Sequence, residues 1–114
     1  MKYSFSILFV FIISTALSAL NIIVNKIEPP NWWTGMKNNN IQLMIYGDNL
    51  KDVTAKFKDK SIIVKRVNKL ANPSYAFIDI EIPPNTKPDN YELILTRGKE
   101  KASVKFPILK REVN

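Results

Sequence analysis

The sequence predicts an all-β protein, an immunoglobulin-like sandwich of the early-set type with about seven strands, preceded by a signal peptide. Three observations carry that prediction. Apolar and polar residues alternate with a period of two, most clearly from Tyr75 to Ile82, where Ala76, Ile78, Ile80 and Ile82 oppose Tyr75, Phe77, Asp79 and Glu81. Only a strand has that period, so a helix is excluded there. Turn-forming residues separate several such runs. The chain opens with a basic residue, an apolar run and small side chains.

Lys2 is the positive start, Ile7 to Ile13 the apolar stretch, and Ala16, Ser18 and Ala19 the small residues that a signal peptidase accepts. Cleavage is expected after Ser18, with Ala19 the second choice. The apolar run falls short of the roughly 20 residues that a membrane span needs. Residues 1–18 are therefore expected to be removed, leaving one domain over residues 19–114. The chain has no cysteine, so a lipid anchor at the cleavage point is excluded. The expected destination is the periplasm or the exterior, with no membrane anchor after cleavage. A domain of about 95 residues buries somewhat over 60% of its unfolded surface, enough for a thin core without disulfides.

The strands follow in order. Asn21 to Ile27 is the first, ended by Glu28-Pro29-Pro30 because proline removes ladder donors. Ile41 to Gly47 is the second, with Ile41, Leu43 and Ile45 on one face and Gln42, Met44 and Tyr46 on the other. Gly47-Asp48-Asn49 turns the chain into Val53 to Phe57, short enough for an edge. Lys58-Asp59-Lys60 leads to Ser61 to Val67, rich in β-branched residues. Tyr75 to Ile82 comes next and stops at Pro83-Pro84. Tyr91 to Thr96 follows, with Tyr91, Leu93 and Leu95 facing one way; Arg97-Gly98-Lys99 is a tight connection to a last strand on which Ala102, Val104, Phe106 and Ile108 share a face. In Lys87-Pro88-Asp89-Asn90-Tyr91, the tyrosine has the position of a tyrosine corner, closing one end of the core while its hydroxyl bonds backbone.

Composition then removes whole classes of chemistry. There is no histidine and no cysteine, so Ser-His-Asp and Cys-His catalysis and thiolate or imidazole metal sites are excluded within one chain. Only three glycines are present, none in a phosphate loop. No cofactor is implied. The remaining catalytic candidates are carboxylate pairs, Asp48 with Asp52 at a turn and Asp79 with Glu81 on one strand face. A small sandwich offers neither pair the deep cleft that glycoside hydrolysis needs. Net charge is +7, but the lysines are spread along the chain, whereas nucleic-acid binders concentrate charge on one element or groove. The charge is read as a solvated surface, with no nucleic-acid partner.

The informative segment runs from Ile27 to Asn38. Trp32 and Trp33 are adjacent, between a double proline and Gly35-Met36. Neighbouring side chains on a strand point oppositely, so one ring is expected in the core and the other at the surface. That surface ring, with Gly35 and Met36, is the candidate carbohydrate-binding or interface site.

The run from Ile27 through Glu28, Pro29, Pro30, Trp32, Trp33, Gly35, Met36 and Lys37 to Gln42, Leu43, Met44, Tyr46 and Gly47 closely resembles the N-terminal domain of Bacteroidetes cyclomaltodextrinases and neopullulanases, glycoside hydrolases of the α-amylase family. Asn72-Pro73-Ser74-Tyr75-Ala76-Phe77 resembles a later stretch of the same domain. The resemblance implies an immunoglobulin-like domain that precedes a catalytic (β/α)8 barrel, helps the enzyme dimerise and shapes its substrate cleft. A barrel needs about 250 residues, and the family's catalytic carboxylates lie in it, so no catalytic residue is carried over. The chain is expected to be a non-catalytic accessory domain, a truncated or split piece of a starch- or cyclomaltodextrin-degrading enzyme. Its expected partners are that barrel or a second subunit, with weak malto-oligosaccharide binding as a further role. The alternative is a free-standing secreted module of immunoglobulin or IPT/TIG type, which the stretch Ile41 to Leu50 also fits.

Overall fold

The computed structural model describes residues 21–112. The leader expected over residues 1–18 lies outside the described residues. Among the described residues eight strands occur: β1 (Ile23–Glu28), β2 (Trp32–Trp33), β3 (Asn40–Asp48), β4 (Thr54–Phe57), β5 (Ile63–Asn68), β6 (Tyr75–Glu81), β7 (Asp89–Arg97) and β8 (Glu100–Leu109). Two four-stranded sheets result, ordered β1-β3-β6-β5 and β2-β8-β7-β4. Every pairing is antiparallel except β2 with β8. No helix occurs among the described residues. The fold is the expected sandwich.

Alternation decides which side chains meet between the sheets. Ile41, Leu43 and Ile45 of β3 and Ala76, Ile78 and Ile80 of β6 are buried on the inner face of the first sheet. Tyr91, Leu93 and Leu95 of β7 and Val104, Phe106 and Ile108 of β8 oppose them from the second. Phe57 of β4 closes one side, its ring centroid 6.3 Å from that of Phe106. Burying side chains of this size contributes about 1.5–3 kcal/mol each, the main force holding the two layers together.

The strand expected from Asn21 begins at Ile23, and the strand expected from Ser61 begins at Ile63. The departure of consequence is β2. No strand is expected there from the sequence, and the two residues form a short one, so eight strands stand where about seven were expected among the described residues. After β1 the chain passes a cis Glu28–Pro29 bond and Pro30, leaves the first sheet and joins the second. β2 pairs only with the last two residues of β8, Trp32 with Ile108 and Trp33 with Leu109. Among the described residues the rest of β8 pairs only with β7, which suits Pro107, a residue confined to sheet edges because it cannot donate.

Local chemistry fixes the corners. The β7–β8 hairpin has two loop residues, Gly98 and Lys99, and Gly98 takes φ +57°, open to glycine without steric cost. Tyr91 is buried and its hydroxyl donates to the Lys87 carbonyl at 2.6 Å, the tyrosine corner read from the sequence. Burial pushes the Tyr91 phenol above its ordinary 10.0, with Asp59 and Asp89 adding to the shift. The phenol therefore stays a donor through the neutral range. Gly47 is required by a close approach: a Cβ there would lie 1.8 Å from the Ile23 carbonyl oxygen.

Candidate functional site

Period-two alternation, applied to β2, settles the two tryptophans. Trp32 lies opposite the buried Ile108 and turns inward, packing half-buried against the core. Its indole Nε1 donates to the Asn38 carbonyl at 3.1 Å, so the polar end of the ring is satisfied. Trp33 turns outward and is 39% exposed. The two ring centroids are 5.7 Å apart at 53°, so the inner ring buttresses the outer one.

Trp33 has an apolar neighbour. Leu109, its register partner on β8, is 45% exposed. The remainder of that outer face is mostly polar: Lys101, Ser103 and Lys105 alternate along β8, with Thr96 and Glu92 beside them on β7, while its apolar members, Ile94 and Pro107, are half-buried. The large exposed apolar side chains of the second sheet, Trp33 and Leu109, are thus gathered where β2 meets the end of β8.

The loop after β2 is tied to the chain that leaves β8. The Thr34 amide donates to the Leu109 carbonyl at 2.9 Å. The Arg111 guanidinium donates to the Gly35 carbonyl at 3.1 Å, and the Arg111 amide to the Thr34 hydroxyl at 3.4 Å. Gly35 is exposed with φ +65°, the left-handed conformation that glycine adopts readily. Met36 is half-buried. Trp32, Trp33, Gly35 and Met36 thus lie on one short segment, with Trp33 alone presenting a large exposed apolar side chain.

The carboxylate pairs have other settings. Asp79 and Glu81 share the outer face of β6, two residues apart. Asp79 accepts from Gln42 on β3, from Arg66 on β5 at 2.9 Å and from Asn68 on β5. Those bonds, Gln42 first, then Arg66 and Asn68, hold its carboxyl below the ordinary 3.8. It is a fixed anion and not a proton donor, whereas a general acid needs its pKa raised. Asp52 sits at φ +62° in the turn after β3. Among the described residues no three His, Cys, Asp or Glu side chains are grouped to hold a metal ion. The arrangement at β2 can dock a surface, and it carries no group that reacts.

Residues 26–112 match the family described as Cyclomaltodextrinase, N-terminal. The chain belongs to that family. The match begins within β1, contains every later strand and includes the whole Trp32–Met36 segment. A cyclomaltodextrinase N-terminal domain is an accessory part of an α-amylase-family enzyme. For this cyclomaltodextrinase N-terminal domain, sequence reasoning singled out Trp32 and Trp33 but not Leu109 or Arg111. Alternation along β8 already turns Leu109 away from the face of Ile108, but its place beside Trp33 was hidden because it depends on the parallel pairing with β2, which joins residues 76 positions apart. Arg111 lies beyond the last alternating residue, where periodicity carries no signal.

Proposed function

We propose that this chain is the accessory domain of a starch- or cyclomaltodextrin-degrading glycoside hydrolase and that it docks on the catalytic domain through Trp33 and Leu109. The observation that carries the reading is their shared exposure beside the chain's exit from β8. Exposed apolar patches mark interaction sites, and Trp is the residue type most enriched among side chains that dominate interfaces. A domain that follows this one in a parent enzyme begins at that corner, and the Arg111–Gly35 bond fixes the direction in which the chain leaves. The same patch also fits a second subunit, as the family resemblance implies.

Sedimentation velocity tests the reading. The chain is mixed with the catalytic domain of a cyclomaltodextrinase and also run alone. A complex is expected, weakened about tenfold or more by Trp33→Ala, while the melting temperature changes little because Trp33 is outside the core. A complex indifferent to Trp33→Ala would overturn the docking surface. Self-association of the chain alone, lost in Trp33→Ala, would assign the patch to the second subunit instead.

The reading includes export, with residues 1–18 as leader. Mass spectrometry of the protein from the periplasm or medium is expected to show a start at Ala19 or Leu20. An intact Met1 in the membrane fraction would refute it.

A further inference from the structure

The outer face of the first sheet departs from what an antiparallel sheet ordinarily shows to solvent. Such a face is polar when water covers it, as it is on most of the second sheet. On the first sheet the central strands β3 and β6 place Met44 opposite Phe77 and Tyr46 opposite Tyr75 on that face. Tyr46 is 40% exposed, and its ring centroid lies 5.2 Å from that of Tyr75 at 51°. Further along the same two strands Gln42 opposes Asp79. There the aromatic surface gives way to planar polar groups: the Asp79 carboxylate, the Gln42 and Asn68 amides and the Arg66 guanidinium. Lys65 adds a bond to the Asn40 side chain at 3.0 Å. A surface depression of about 510 Å³ lies over Asn40, Gln42, Lys65, Arg66 and Asp79.

We infer that this face is a binding site for a neutral oligosaccharide of the α-glucan class, distinct from the Trp33 corner. Pyranose rings present an apolar C–H face and an edge of hydroxyl groups. Tyr46, backed by Tyr75, offers an aromatic face for the first. The Asp79–Arg66–Gln42–Asn68 cluster offers fixed acceptors and donors for the second, in the paired geometry that guanidinium and carboxylate groups supply. Asp79 is held ionised by its three partners, so the cluster is preorganised and little side-chain freedom is lost on binding. The Tyr46 and Gln42 positions are about 14 Å apart along β3. That distance exceeds one pyranose ring, so an oligosaccharide and not a monosaccharide bridges them.

Charge complementarity selects a neutral ligand over a charged one. The chain as a whole is +7, yet this face sets Lys26, Lys65 and Arg66 against Glu28, Asp79 and Glu81, with Lys26–Glu28 and Arg66–Asp79 in direct ion pairs. A polyanion would meet three carboxylates there. A neutral polyol meets donors and acceptors of both kinds. The choice of α-glucan rests on the accessory-domain reading; the position of the site rests on the geometry alone.

The test is a two-dimensional amide NMR titration of the full chain with maltoheptaose, with cellohexaose as the comparison sugar. Saturable shifts are expected at Gln42, Met44, Tyr46, Arg66, Tyr75 and Asp79, stronger with maltoheptaose. Tyr46→Ala and Arg66→Ala are each expected to weaken binding about tenfold, with amide spectra that otherwise show a folded domain. Lys101→Ala, on the far sheet, leaves binding unchanged. Two variants guard against the failure of either to fold. An absence of shifts with either sugar at tens of millimolar overturns the inference, as do shifts confined to Trp33 and Gly35. Equal response to both sugars retains the site but removes the α-glucan assignment. Failure here leaves the docking surface untouched, because sedimentation against a catalytic domain reads that independently.

Discussion

Replacing Gly47 with alanine tests the closest backbone approach in the fold. A Cβ at that position would stand 1.8 Å from the Ile23 carbonyl oxygen, 2.8 Å from its carbon and 3.1 Å from the Val24 Cα. All three are backbone atoms, so no side chain can rotate away. The least expensive relief is to peel the start of β1 from β3, where Val24 pairs with Gly47 just before a bulge. Peeling exposes Ile22, now 8% exposed, at about 2 kcal/mol. It also breaks one or two ladder hydrogen bonds at about 1 kcal/mol each. The expected loss is about 3–4 kcal/mol, a large part of the roughly 5–14 kcal/mol available to a domain of this size. Gly35→Ala is the comparison. No atom lies within 4 Å of a Cβ there, so only the positive φ counts against it, at about 1–2 kcal/mol. Urea denaturation of both variants decides the matter. If Gly47→Ala unfolds with the wild type, or if Gly35→Ala is the weaker of the two, the close approach of β1 to β3 is wrong.

Tyr91→Phe removes the hydroxyl that donates to Lys87 and is expected to cost about 1–1.5 kcal/mol in a urea melt, the net worth of one hydrogen bond. Because the folded phenol titrates above its ordinary 10.0, the unfolded chain loses its proton first, so wild-type stability falls as pH rises past that value; Tyr91→Phe lacks this contribution in a melting series taken through the alkaline range. Asp79 has the opposite sense: its folded carboxyl titrates below 3.8, so the stability it contributes is present above that pH and is lost as pH falls through the folded value. Asp79→Asn is therefore expected to flatten the acid side of the stability profile, and an unchanged acid side would refute the cluster. The purified chain is expected to release no reducing sugar from cyclodextrin, pullulan or starch, and release above a heat-treated control would contradict an accessory role.

Much of the core was legible because the period of two is written directly into the strands. Ile41, Leu43 and Ile45, then Ala76, Ile78 and Ile80, then Leu93 and Leu95 were assigned to one face each, and those residues are buried. The tyrosine corner was also legible, since donor and acceptor lie four residues apart. What the sequence hid depends on pairings between distant segments. Two residues cannot display an alternation, so β2 was invisible until β8 gave it a neighbour. Asp79 was read with Glu81 because both lie on one strand; its real partners come from β3 and β5, through registers that no local pattern specifies. The orientation of the tryptophans had the same obstacle. Alternation required one ring in and one out, but only the pairing with Ile108 and Leu109 decides which.

The docking claim is tested most directly by a photo-crosslinker at position 33, with p-benzoylphenylalanine in place of Trp33, in the chain mixed with a cyclomaltodextrinase catalytic domain. Mass spectrometry of the digested adduct is expected to join the Trp33 peptide to a single surface of the catalytic domain, with none formed from the same probe at Lys101 on the polar part of that sheet face. Adducts that arise from position 101 and not from position 33 would contradict the account.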